Sequence, residues 1–316
     1  MTDTHDTRPA DFERHRRTVL GIAYRMLGSV TDAEELVEDT RRRWSGLTDP
    51  VTDPGRFLVR TVTTLALDRL EAAAVRREAY VGPWLPEPLV TELSPTESWP
   101  TELPPTGPDV TDGAERTRTA SLALLTVLES LSPDERAVFV LKETCGFSYR
   151  EIAEALGHTE SACREVGSLA RAQVRAARPR SDAPPELRRR ATDEFLMACV
   201  GGDISRMLEL LAPGVTAWID GGGVVGAALW PVTGAESVAR ATLGVLRQLR
   251  EGAAHPVLVN GEPGLLVTVG GAVDSVSVLD FVAGTDGTLL ISAIRAVRNP
   301  HKLTHLTAPA PAAVRA

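Results

Sequence analysis

Three cysteines in 316 residues, widely spaced at Cys145, Cys163 and Cys199, provide neither a CxxC pair for a metal nor an even set for a disulfide framework. Aromatic residues are equally scarce, at 4%, so the cores must be built mainly from Leu, Val and Ala. Long apolar runs are absent. The longest, around Val224 to Trp230, is too short and too glycine-flanked to cross a bilayer. The opening residues MTDTHDTRPADFERHRR offer no apolar stretch for a secretory signal. There is no Walker loop, Rossmann fingerprint or metal-ligand cluster. These absences point to a reduced, cytoplasmic protein that needs neither cofactor nor metal and touches no membrane.

Positive charge is also in deficit. The net charge of −8 argues against a general nucleic-acid binder. Its location matters more than its sum. Residues 11–80 carry 12 basic and 12 acidic side chains, residues 81–118 carry 2 and 7, and residues 119–180 carry 8 and 8. The acidity sits in the middle, so any DNA binding must use local basic faces or a partner that supplies most of the affinity.

What is present is helical periodicity in two blocks. Phe12, Val19, Leu20, Ala23, Met26 and Leu27 recur at helical spacing up to a stop at Gly28-Ser29. Asp32 is expected to open the next helix, with Glu34 and Glu35 in its first turn, where carboxylates favour the positive end of the dipole. A long helix follows Asp53-Pro54 and runs to about Glu78. Eight prolines then fall between residues 81 and 118, which predicts an extended linker. Within it, Tyr80 to Val90 is apolar and aromatic enough to dock on a neighbouring domain. The second helical block holds a helix over Ser121 to Leu131 and another starting at Ser132-Pro133. After Pro179, Pro184 and Pro185, helices at Glu186–Val200, Ile204–Leu211 and Ala235–Glu251 alternate with strands. One strand leads into Asp220-Gly-Gly-Gly223; the others are Val257–Asn260, Leu265–Val269, Val273–Val282 and Leu289–Val297. This pattern predicts an antiparallel sheet with helices on one face.

The segment from Phe147 to Val166 reads as a helix-turn-helix. Ile152, Ala153 and Leu156 share one face, Gly157 makes the tight turn, Thr159 caps the next helix, and Cys163, Val166 and Ala170 form its buried stripe. An ordinary helical hairpin is the bland alternative. In the DNA-reading geometry the second helix enters the major groove N-terminus first. Glu160, Ser161, Arg164, Glu165 and Ser168 then face DNA, with Arg171 and Arg175 near phosphates.

Leu131 to Leu141 followed by Tyr149-Arg-Glu-Ile-Ala-Glu-Ala-Leu-Gly157 resembles the promoter −35-reading domain of sigma-70-type initiation factors. Gly21 to Val30 followed by Asp32 to Asp39 resembles their polymerase-binding, −10-reading domain. Tyr80 to Val90, Asp220-Gly-Gly-Gly223, Asn260-Gly-Glu-Pro-Gly264 and Arg298-Asn-Pro-His-Lys-Leu303 narrow the resemblance to extracytoplasmic-function sigma factors of the SigJ-like type. Such proteins carry a C-terminal SnoaL-like domain. The resemblance implies a multidomain chain: two all-α sigma modules at 10–80 and 119–179, the second with the helix-turn-helix. A Pro-rich acidic linker at 81–118 joins them, and an α+β SnoaL/NTF2-like cone follows at 186–306. It implies that Glu34, Glu35, Glu38 and Asp39 face the β′ clamp helices of core RNA polymerase, although a solvated face is the plain reading of such a run. The β flap is a second implied contact, and Arg69, Arg76 and Arg77 would lie near −10 promoter DNA. A separate anti-sigma factor is left open. The C-terminal domain would regulate by contacting the linker, with Trp84, Pro86, Glu87 and Asp220 as contact points.

This chain departs from the family pattern by losing positive charge. Thr64, Glu71 and Leu169 stand where arginine is usual, Glu38 and Glu165 where glutamine is, and Val224 where lysine follows the glycine turn. Fewer phosphate contacts imply weaker promoter binding. Glu165 would either accept from cytosine N4 or repel phosphate. Catalysis in the C-terminal domain would need a His–Asp pair among His255, Asp220, Asp274 and Asp280, and no spacing establishes one. The alternative function is a ligand-binding or catalytic SnoaL-like protein with vestigial sigma modules. A further alternative is a decoy that binds polymerase but reads no promoter.

Overall fold

The structure, a computed structural model, describes residues 8–92, 120–177, 183–248, 252–284 and 288–308, without the side chains of 74–78, 92, 185 and 246–248. The described residues form two compact units. One comprises residues 8–78 with Leu125–Ala177, and so takes in both helical blocks. The other holds residues 79–92, Ala120–Leu124 and everything described from 183 onward.

The first unit begins with α1 (Arg8–Leu27), α2 (Val30–Ser45) and α3 (Pro54–Glu78). Gly28, at φ +68°, ends α1 in a single left-handed residue. Ser29 is therefore free to cap α2, its hydroxyl accepting from the Asp32 amide at 3.1 Å. Asp32, expected to open this helix, sits inside its first turn instead. Phe12, Ile22, Met26, Leu36 and Leu58 fill the core among these helices. α4 (Leu122–Leu128) and α5 (Pro133–Phe139) follow, α5 held by a capping box between Ser132 and Glu135. A π-helical turn, Val140–Thr144, continues α5, a widening the sequence pattern did not suggest. The second block packs on the first through Arg136. This guanidinium, 2% exposed, donates to the Met26 carbonyl at 2.7 Å and pairs with Glu129 at 2.9 Å.

α6 (Tyr149–Leu156) and α7 (Glu160–Ala177) form the helix-turn-helix. Gly157 takes the turn at φ +73°, and the Thr159 hydroxyl accepts from the Ala162 amide at 3.2 Å. Cys163, Gly167, Ala170 and Val174 form the buried stripe of α7. Val166, expected in that stripe, is only half-buried. Gly167 takes its place because the Tyr149 ring crosses the helix there: a Cβ on Gly167 would lie 2.8 Å from Tyr149 Oη.

The second unit is a seven-stranded mixed sheet in the order β1-β4-β5-β6-β7-β2-β3. Its strands are β1 (Val90–Glu92), β2 (Leu211–Asp220), β3 (Val232–Thr233), β4 (Gly252–Val259), β5 (Glu262–Val269), β6 (Ala272–Ala283) and β7 (Leu289–Val297). The expected wholly antiparallel sheet is corrected at one joint, since β2 and β7 run parallel. The meander β4 to β7 leaves the edge of β7 open. β2 fills that edge, entering in the direction set by the helix before it. α8 (Pro185–Gly201), α9 (Ile204–Leu210) and α10 (Ala235–Gln248) cover one face through Phe195, Met207, Val238 and Ala239 against Val215, Leu279, Phe281 and Ile291. The other face, with Val257, Leu266, Val276 and Val278, is covered by Leu85, Leu122 and Leu303.

β1 belongs to the stretch expected as linker. It pairs with β4 over Val90↔Val259 to Glu92↔Val257. The rest of that expected linker, from residue 93, lies outside the described residues.

Candidate functional sites

α2 presents Glu34, Glu35, Glu38 and Asp39 around a cleft of about 380 Å³, closed by Arg42 and Arg69. Their spacing of three and four residues puts the carboxylates on one helix face. Arg69 reaches across from α3 and donates to Glu35 and Asp39, each at 2.9 Å. Burial pushes the Asp39 carboxyl up, but hydrogen bonds from Arg42 and Arg69 outweigh it and hold the group below its ordinary range. Arg69, expected near DNA, is thus part of the acidic face. The side chains of Arg76 and Arg77 lie outside the described residues.

On α7 the expected DNA-facing residues divide into two sets. Arg164 pairs with Glu160 at 2.5 Å and lies over the Tyr149 ring, 5.4 Å from its centroid. Arg171 pairs with Glu143 at 2.9 Å and donates to the Tyr149 hydroxyl at 2.9 Å. Ser161 is exposed beside the Thr159 hydroxyl at 3.1 Å. Glu165 and Ser168 are exposed and bond to no described side chain.

The third site lies within the second unit. Asp220 ends β2 with no exposed surface, at the entrance of the Gly221-Gly222-Gly223 turn. Its carboxylate accepts from the Tyr80 hydroxyl, from the Leu85 amide at 2.8 Å and from Lys302 Nζ at 2.6 Å. Lys302 also donates to the Leu85 carbonyl at 2.6 Å and sits 4.0 Å from the Trp84 ring centroid. Asn299 donates to the Tyr80 hydroxyl at 2.9 Å. Desolvation, then the bond to Asp220, pushes the Tyr80 phenol far above its usual range. Gly222, at φ +60°, must be glycine because a Cβ would fall 2.2 Å from Asn299 Nδ2. Pro86 and Glu87 are buried in the same segment.

A second clamp holds this segment. Asn260, the one described non-glycine residue with positive φ, accepts from the Leu89 amide at 3.0 Å and donates to the Ala120 carbonyl at 3.0 Å. It thereby holds Leu89 and Ala120 together. Of the expected contact points, Trp84 and Asp220 meet through Lys302. Tyr80, Asn260, Asn299 and Lys302 lay inside motifs that the sequence singled out, yet nothing local assigned them a partner.

The acid–base candidates do not converge. Asp274 pairs with Arg298 at 3.0 Å, Asp280 pairs with the buried Arg295, and His255 shares a hydrogen bond with Thr268 at 3.2 Å. Among the described residues no group of three His, Cys, Asp or Glu could hold a metal, and no helix is long and apolar enough to cross a membrane.

Known proteins resemble both helical blocks and most of the chain. Residues 12–76 match the Sigma-70 region 2 family and residues 121–174 the Sigma-70, region 4 family. The sequence is 35% identical over 260 residues to the ECF RNA polymerase sigma factor SigJ of Mycobacterium tuberculosis, spanning 81% of this chain and 79% of that protein. It is 32% identical over 289 residues to the probable ECF RNA polymerase sigma factor SigI of the same organism, spanning 89% and 91%. The crystal structure of Mycobacterium tuberculosis SigJ superposes with a TM-score of 0.69 at 29% identity, covering 94% of this chain and 98% of that one.

Proposed function

Because the chain belongs to the extracytoplasmic-function RNA polymerase sigma factors, it directs core polymerase to specific promoters, and we propose that its α+β unit governs this by gripping both ends of the segment between its two promoter-reading modules. The observation that carries the proposal is the pair of clamps. Asp220 with Lys302 fixes Tyr80 and Leu85, and Asn260 fixes Leu89 and Ala120.

Two modules that read separate promoter elements must stand a set distance apart, and the span of the chain between them limits that distance. Anchoring Leu89 and Ala120 on one residue of the sheet unit restricts the separations available. Glu34, Glu35, Glu38 and Asp39 are assigned to the β′ clamp helices of core polymerase, with Arg69 positioning them. The helix-turn-helix is assigned to the −35 element and the β flap. The catalytic alternative has less support, since Asp220, Asp274 and Asp280 are each engaged by a cation and His255 by Thr268.

The test uses the full chain. Asn260→Gly keeps the left-handed turn and removes both side-chain bonds. Transcription by reconstituted holoenzyme is measured on promoters differing in the spacer between the −10 and −35 elements. The variant is expected to change the preferred spacing or to widen the tolerated range several-fold. An unchanged spacing profile at equal expression would sink the proposal.

A further inference from the structure

The solvent face of α7 has an unusual composition for a helix that enters DNA. Its buried stripe is Cys163, Gly167, Ala170 and Val174. At 3.6 residues per turn, the residues roughly opposite that stripe are Ser161, Glu165, Ser168 and Ala172, bordered by Ala162 and Leu169. All six are exposed, and Leu169 is 54% exposed. Two arginines lie to one side. Arg164 is paired with Glu160 and Arg171 with Glu143, and the exposed Arg175 borders the face beside Ser168. The central face therefore carries a single formal charge, the Glu165 carboxylate, which bonds to no described side chain.

We propose that Glu165 is the specificity-determining residue of this helix, accepting a hydrogen bond from the N4 amino group of a cytosine in the −35 element, with Leu169 against the methyl group of a neighbouring thymine. The inference rests on the sigma-factor reading of the helix-turn-helix.

The chemistry selects the base. A carboxylate only accepts, so its partner in the major groove must present a donor. Guanine presents two acceptors there, thymine an acceptor and a methyl group, and adenine an amino group beside the N7 acceptor. Cytosine alone offers its amino donor with no adjacent acceptor on the same edge. Position supports base contact over phosphate contact. Opposite the buried stripe, a side chain is directed to the floor of the groove, whereas the flanks at Arg164 and Arg171 turn toward its phosphate walls. Leu169 lies one helical turn beyond Glu165 and offers nothing but apolar surface, which suits a thymine methyl.

The experiment is transcription by holoenzyme, reconstituted from core polymerase and the full chain, on a duplex library randomised through the −35 element. Wild type is expected to enrich cytosine roughly tenfold at one position, the discrimination typical of a single base-edge contact. Glu165→Gln should move the preference to adenine at that position alone, because glutamine pairs with adenine N6 and N7. Leu169→Ala should weaken a thymine preference at an adjoining position. If Glu165→Gln raises transcription equally for all four bases, the carboxylate only repels phosphate and the proposal fails. It also fails if the base preference is unchanged. Absence of promoter-specific transcripts from wild type would overturn it together with the sigma-factor reading, an outcome distinct from the other two.

Discussion

A carboxylate with no exposed surface persists in a fold only where donors surround it, and Asp220 has three, from Tyr80, Leu85 and Lys302. Lys302 is itself only 7% exposed, so each charge is the condition for burying the other. Asp220→Ala leaves an ammonium buried without its counter-charge and is expected to destabilise the chain by about 3–5 kcal/mol. Lys302→Met in the same background removes the orphaned charge and should recover much of the loss. Urea denaturation of the four combinations measures both effects, and additive losses would refute direct coupling. The sequence singled out Asp220 for its glycine turn and Lys302 for its motif. It could not pair them, because 82 residues separate them.

The helix-turn-helix depends on one missing side chain. α6 and α7 approach closely where the Tyr149 ring crosses Gly167, with a would-be Cβ 2.8 Å from Oη and 2.9 Å from Cε1. Gly167→Val should therefore cost about 1–3 kcal/mol through overpacking. Tyr149→Ala should relieve part of that cost in the double variant, as followed by thermal unfolding. A Gly167→Val variant as stable as wild type would contradict the close approach. Periodicity alone placed Val166 in the buried stripe, the adjacent residue about 100° round the helix, on the other border of the stripe. Which of the two goes inward depends on where α6 crosses, and no window within α7 contains that information. The helix termini were easier to read. Ser132 and Thr159, both read from the sequence, each cap the helix that follows, through bonds to amides three residues on.

For the whole chain, charge is the relevant quantity. The net charge is −8, and Arg69, Arg164 and Arg171, all expected at DNA, each lie in an ion pair with a carboxylate. Those three cations can displace counterions from phosphate only if their pairs open. The free chain is therefore expected to show no measurable binding to promoter duplex at physiological ionic strength, while holoenzyme binds the same duplex. Fluorescence anisotropy with and without core polymerase decides this. Tight binding by the chain alone, with a steep salt dependence, would show that these ion pairs open readily on DNA.

The sequence by itself determined the order and type of most elements: three helices, a helix-turn-helix, and an α+β region closing on a strand that ends at Val297. It could do so because periodicity, caps and left-handed glycines act within a few residues. Only the tertiary structure decided that part of the expected linker becomes the edge strand β1, that β2 joins β7 in parallel, and that Arg69 turns into the acidic face. It also decided that Asn260 grips Leu89 and Ala120 together. These outcomes depend on which sheet edge stays open and which buried charge still lacks a partner, and such conditions exist only once distant segments have packed.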